Sequence, residues 1–80
     1  MIGTRMTFGQ AFVVLFNRSG ITQADYARKT GLSTAYVALL ANGKINNPTF
    51  DKACVIAEGI GVSLQDIVDV MRSPNQSSVK

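Results

Sequence analysis

The sequence predicts an all-α fold, a compact bundle of five short helices in a single domain. Three observations predict it. Apolar residues recur at helical spacing from residue 8 to residue 71. Ser or Thr stands ahead of each periodic segment, and glycine follows most of them, as helix caps do. The Asn42-Gly43 pair lies between helical patterns rather than between alternating strands, so no hairpin competes.

The first helix opens at Thr7, whose spacing to Gln10 is that of a capping box. Phe8, Ala11, Phe12, Leu15 and Phe16 then mark one apolar face, and Gly20 ends the helix. Thr22 and Asp25 repeat the cap, with Asp25 in the first turn where the helix dipole favours an acid, opening a helix from Gln23 to about Thr30 that Gly31 closes. Ser33 caps a third helix that runs to about Asn42, with Gly43 as its stop. A polar loop, Lys44-Ile45-Asn46-Asn47-Pro48, leads to Thr49, the cap of the fourth helix. There Phe50, Ala53, Cys54 and Ala57 share the face expected to be buried. Gly59-Ile60-Gly61 ends it. Ser63 and Asp66 form another box, and Leu64, Ile67, Val68 and Met71 are the expected inner face of a fifth helix that Ser73-Pro74 stops. The domain therefore spans 7–72, between a short arm at 1–6 and a polar tail at 73–80 expected to be disordered.

Eighty residues hold one core, and a domain of this size buries only about 60% of its unfolded surface. Disulfides cannot reinforce it, because Cys54 is the single cysteine, and zinc cannot, because there is no histidine. Reinforcement is expected from helix packing, a partner subunit, or both. The missing histidine also removes the Ser-His and Cys-His nucleophiles. The five acids are scattered, and no P-loop or dinucleotide fingerprint is present. No catalytic residue, metal, cofactor or small-molecule ligand is expected. Met1 to Met6 is too short and too polar for a secretory leader, and no apolar run approaches the ~20 residues that span a bilayer. A cytoplasmic chain with a reduced, buried Cys54 is expected.

Charge is distributed unevenly. Residues 1–52 carry six basic and two acidic groups, +4, whereas 53–80 carry two basic and three acidic groups, −1, for a total of +3. A basic excess in the first two thirds suits a polyanion such as DNA. Gln23 to Asn42 gives it a setting: two helices joined by Gly31-Leu32-Ser33, a turn tight enough to make them cross steeply. Ala27 suits their closest approach and Gly31 suits a positive φ in the turn. Leu32, Val37 and Leu40 face inward, which leaves Thr34, Ala35, Ala38 and Leu39 outside and Tyr36 at the edge.

These residues carry a resemblance. Thr22-Gln23, Ala27, Gly31-Leu32-Ser33, Tyr36-Val37, Leu40, Asn42-Gly43-Lys44 and Pro48 resemble the signature of the lambda-repressor-like (Cro/C1, XRE) helix-turn-helix family, and Gly61-Val62-Ser63-Leu64 resembles the opening of its fifth helix. The resemblance covers about residues 7–72. It implies a sequence-specific regulator of transcription, in the main a repressor, binding a palindromic operator in double-stranded DNA as a homodimer. It also implies roles by position. Gln23 touches phosphate and supports the recognition helix, 34–42. Thr34 and Ala35 read base edges from its start, and Leu39 reads one turn on. Asn42 and Lys44 bind phosphate around its end. Ser33, Tyr36 and Ala38 complete the candidate DNA-binding set.

Departures from the family pattern are equally specific. Ala41 stands where an acid is common, a change expected to remove only a surface interaction. Ala38 and Leu39 are apolar where polar residues are common, so bidentate base readers are missing. Several roles stay open. Asn42 fits a helix cap as well as a phosphate contact, Lys44 fits a solvated charge, and Tyr36 can stack on a sugar or pack on the helix of Ala27. Arg28 and Lys29 can face away from DNA. Ile60, Val62, Val70 and Met71 are either core or a dimer surface. A reading of another class also stays open: a protein-interaction module, such as an antitoxin or co-regulator adaptor, docking through Ala38 and Leu39. With no sensor domain expected in 80 residues, regulation would act through concentration, a partner or dimerisation, as in a small phage or mobile-element regulator.

Overall fold

A computed structural model describes residues 6–72 of the chain. The expectations for Ser73-Pro74, for the tail and for most of the arm lie outside the described residues. Five helices follow one another: α1 Phe8–Ser19, α2 Gln23–Thr30, α3 Thr34–Ala41, α4 Phe50–Gly59 and α5 Leu64–Arg72, with no strand among the described residues. α1 packs on α3 and α5, α2 on α3 and α4, and α4 on α5. None of the helices is long and apolar enough to cross a membrane.

Each helix starts where a hydroxyl can cap it. The Oγ atoms of Thr7, Thr22, Ser33, Thr49 and Ser63 accept from the backbone N–H three residues on, at 3.0–3.2 Å. At Thr7 and Ser63 the bond is returned, by Gln10 and Asp66, so these boxes are complete. At Thr22 it is not: the Asp25 carboxylate pairs instead with Arg28, one turn along the same exposed face.

The core is built around three rings. Phe12, Phe16 and Tyr26 stand with centroids 5.4–5.7 Å apart, both phenylalanines meeting Tyr26 edge to face. Ala27, Val37, Leu40 and Ile56 close around them. A second cluster of Ala11, Ala57 and Ile67 joins α1, α4 and α5, and Phe8 touches both. Tyr26 is fully buried, yet its hydroxyl is satisfied, donating to the Ile56 carbonyl at 2.7 Å. That carbonyl is among the last four of α4, which a helix leaves without internal partners. Tyr26 thus caps α4 from inside the core.

Four expectations need correction. Phe50 is not inward: it is 74% exposed. Periodicity groups it with Ala53 and Ala57, but the buried apolar side chains of α4 begin at Ala53 and continue with Ile56 and Ala57, and the first turn, 50–52, is exposed throughout. Cys54, beside that face, is only half-buried. On α5 the inward set is Leu64, Ile67, Val70 and Met71; Val68 is replaced by Val70, which lies one turn from Ile67 on the side facing the second cluster. Ala41 is not a surface position but half-buried against the core, where an acid would be desolvated.

Candidate nucleic-acid interface

The turn between α2 and α3 is pinned by backbone geometry. Gly31 adopts φ +80°, and its N–H donates to the Ala27 carbonyl at 2.8 Å. The Leu32 N–H donates to the Thr30 hydroxyl at 3.2 Å, which in turn donates to the Tyr26 carbonyl at 2.8 Å. Only glycine takes this φ without strain, so the chain can reverse into Ser33 within three residues.

α3 divides cleanly. Val37 and Leu40 are buried, with Leu32, Tyr36 and Ala41 packed beside them. Thr34, Ala35 and Leu39 are exposed and Ala38 is half-buried, forming the outer face at the i, i+1, i+4, i+5 positions. Ser33 is exposed and occupied as the N-cap. The outer face is apolar apart from Thr34, and Leu39 is 45% exposed.

The far end of α3 is equally ordered. The Lys44 N–H donates to the Leu39 carbonyl at 2.9 Å and the Gly43 N–H to the Leu40 carbonyl at 3.0 Å, with Gly43 at φ +72°. This is a Schellman motif, and it fixes the backbone from which the exposed Lys44 side chain departs. The Asn42 amide nitrogen donates to the Ala38 carbonyl at 2.8 Å, so Asn42 does cap its helix, while the second N–H of that amide remains for another acceptor.

Gln23 is exposed in the first turn of α2, beside the Gln23 and Ala24 N–H groups that the Thr22 cap leaves unused. Arg28 pairs with Asp25, and Lys29 lines a recess of about 280 Å³ with Thr30, Val55, Glu58 and Gly59, on the α4 side of α2. Neither joins the outer face of α3.

Sequence reasoning missed Lys52. It lies in the first turn of α4 with its Nζ 5.1 Å from the centroid of the Tyr36 ring, a cation–π contact that brings a positive charge to the start of α3. A lysine in the first turn of a helix opposes the helix dipole, and that was the available signal. Tyr36 is therefore packed on the core and under Lys52; burial pushes its phenol above the ordinary 10, so it keeps its proton as a donor.

Ile60, Val62, Val70 and Met71 are half-buried and packed on the chain's own core. The residues suggested as a dimer surface thus contribute largely to the fold of one copy.

No curated protein and no solved structure matches the chain. A helix-turn-helix family model matches residues 15–67, more than half of its length, from the middle of α1 to the core residue Ile67 of α5. The match contains the glycine turn, the outer face of α3 and the loop that follows. Together with the five-helix, all-α architecture, it places the chain in the Cro/C1-type (XRE) helix-turn-helix family of DNA-binding regulators.

Proposed function

We propose that the protein is a sequence-specific transcriptional repressor that binds a palindromic operator in double-stranded DNA as a homodimer, α3 lying in the major groove. The observation that carries this reading is the outer face of α3. Thr34, Ala35 and Leu39 are exposed and serve no core role, and the face ends at groups suited to phosphate. Lys44 stands at one end on a fixed backbone, and Lys52 with Tyr36 stands at the other. Gln23 and the unused N–H groups of α2 add an anion-binding helix start. Thr34, Ala35, Ala38 and Leu39 read bases, while Gln23, Ser33, Tyr36, Asn42 and Lys44 position the helix on the backbone.

Phosphate contacts make binding salt-dependent. A dimer neutralising about six phosphates has a slope of log K against log salt near −5. A mobility-shift titration of promoter duplexes at several salt concentrations measures it. Lys44→Ala is expected to weaken all sequences alike and to make the slope shallower by about 1 for each phosphate that the lysine neutralises. An unchanged slope removes Lys44 from the interface.

A second reading, a protein-interaction module, is favoured by one observation: Phe50 and Leu39 are the large apolar side chains that the described fold leaves exposed. It requires duplex binding that is weak, or that appears only with a partner.

A further inference from the structure

Gly9 is a buried glycine in the first turn of α1, where alanine is the better helix former. Its surroundings account for it. A Cβ at Gly9 would lie 2.6 Å from the Gly43 carbonyl oxygen, 2.9 Å from the Gly43 carbonyl carbon and 2.6 Å from the Asn46 side-chain oxygen. Two of those atoms are backbone and cannot swing away. The loop after α3 therefore lies directly on the first turn of α1, closer than any side chain permits.

A hydrogen bond fastens it there. The Gly9 N–H, one of the donors that the start of a helix leaves unpaired, donates to Asn46 Oδ1 at 3.1 Å across 37 residues of chain. Toward α3, the loop is fastened by the Schellman bonds that the Lys44 and Gly43 N–H groups donate to the Leu39 and Leu40 carbonyls. Lys44 thus sits between two anchors, one to its own helix and one to α1. Neither anchor uses the lysine side chain.

We propose that Asn46 is a positioning residue for DNA binding: by accepting from the Gly9 N–H it seats the 43–46 loop on α1, so that Lys44 meets a phosphate already in place. This rests on the DNA-binding reading above. A preset loop loses less freedom on binding, which is how a residue that does not touch DNA raises affinity. Gly9 is the second part of the device, since only glycine lets the loop come this close.

The test uses the full chain and the duplex that the wild type enriches from a random pool. In the free chain, Asn46→Ala is expected to speed amide exchange at Gly9 and shift the Lys44 to Asn46 amide signals, with helicity retained. Asn46→Asp, whose carboxylate accepts the same bond, restores protection at Gly9. On DNA, Asn46→Ala weakens binding by about fivefold, the scale of one hydrogen bond. Gly9→Ala acts in the same direction by displacing the loop, and serves should Asn46→Ala fail to fold. The discriminating measurement is coupling. Lys44→Ala should cost clearly less affinity in the Asn46→Ala background than in the wild type, because an unseated Lys44 has less to lose. Independent effects, or unchanged affinity in both Asn46→Ala and Gly9→Ala, overturn the positioning role while leaving DNA binding intact. A wild type that enriches no duplex overturns both.

Discussion

Tyr26 carries more of this fold than its size suggests. Its ring joins Phe12 and Phe16, and its hydroxyl satisfies the Ile56 carbonyl near the end of α4. Tyr26→Phe keeps the ring and leaves that carbonyl unpaired, at an expected loss of about 1–2 kcal/mol at neutral pH. Burial, and secondarily the nearby Tyr36, holds the Tyr26 phenol far above the ordinary 10. The sign of the pH dependence follows. Below about pH 10 the phenol is protonated in both folded and unfolded chains; above it the unfolded chain releases the proton while the folded chain keeps it, so stability falls as pH rises. Urea unfolding at pH 7 and pH 11 is expected to show a smaller alkaline loss in Tyr26→Phe than in the wild type, with Tyr36 supplying the remainder. Equal losses would assign the alkaline transition to another group.

At the scale of the helix, the proposed reading has α3 meeting DNA with little polar chemistry. Thr34, Ala35, Ala38 and Leu39 offer one hydroxyl and several methyl groups, which match the C5-methyl of thymine. Replacing thymine by uracil deletes only that methyl. At about 0.8 kcal/mol per buried carbon, each methyl contact should appear as an about fourfold loss of affinity at one operator position. If no position responds, the apolar face of Ala38 and Leu39 belongs to a protein partner. This face was legible in the sequence because a helix repeats every 3.6 residues, and the helix starts were legible because a cap bond spans only three. What a helix meets at its ends was not legible. Phe50 and Ala53 share a face by spacing, yet the first turn of α4 is exposed and burial begins only at Ala53. Val68 and Val70 were separated only by where α1 lies against α5. Lys52 over Tyr36 and Asn46 on Gly9 are long-range meetings that local patterns do not encode.

The whole molecule sets how many copies must act. On the proposed reading, one chain would bring Lys44, Lys52 and the start of α2 toward phosphate, about half of what a slope near −5 requires. As a recognition helix, α3, with eight residues, would also reach only a few base pairs. Two copies related by a two-fold axis would place their α3 helices about 34 Å apart, one turn of DNA. Val68 at the half-buried edge of α5 is the candidate for the contact between them, because Val62, Val70 and Met71 are engaged within each copy. The geometry makes spacing decisive. Inserting about five base pairs between half-sites rotates one of them to the opposite side of the duplex, and should reduce affinity to that of a single half-site; inserting about ten restores the facing and part of the affinity. Sedimentation on the uninterrupted site is expected to show two chains of 8.6 kDa per duplex. Val68→Asp is expected to separate the copies on DNA while leaving each folded, since that side chain is not part of either core cluster. Affinity that ignores the insertion, with one chain per duplex, would make the protein a monomeric reader.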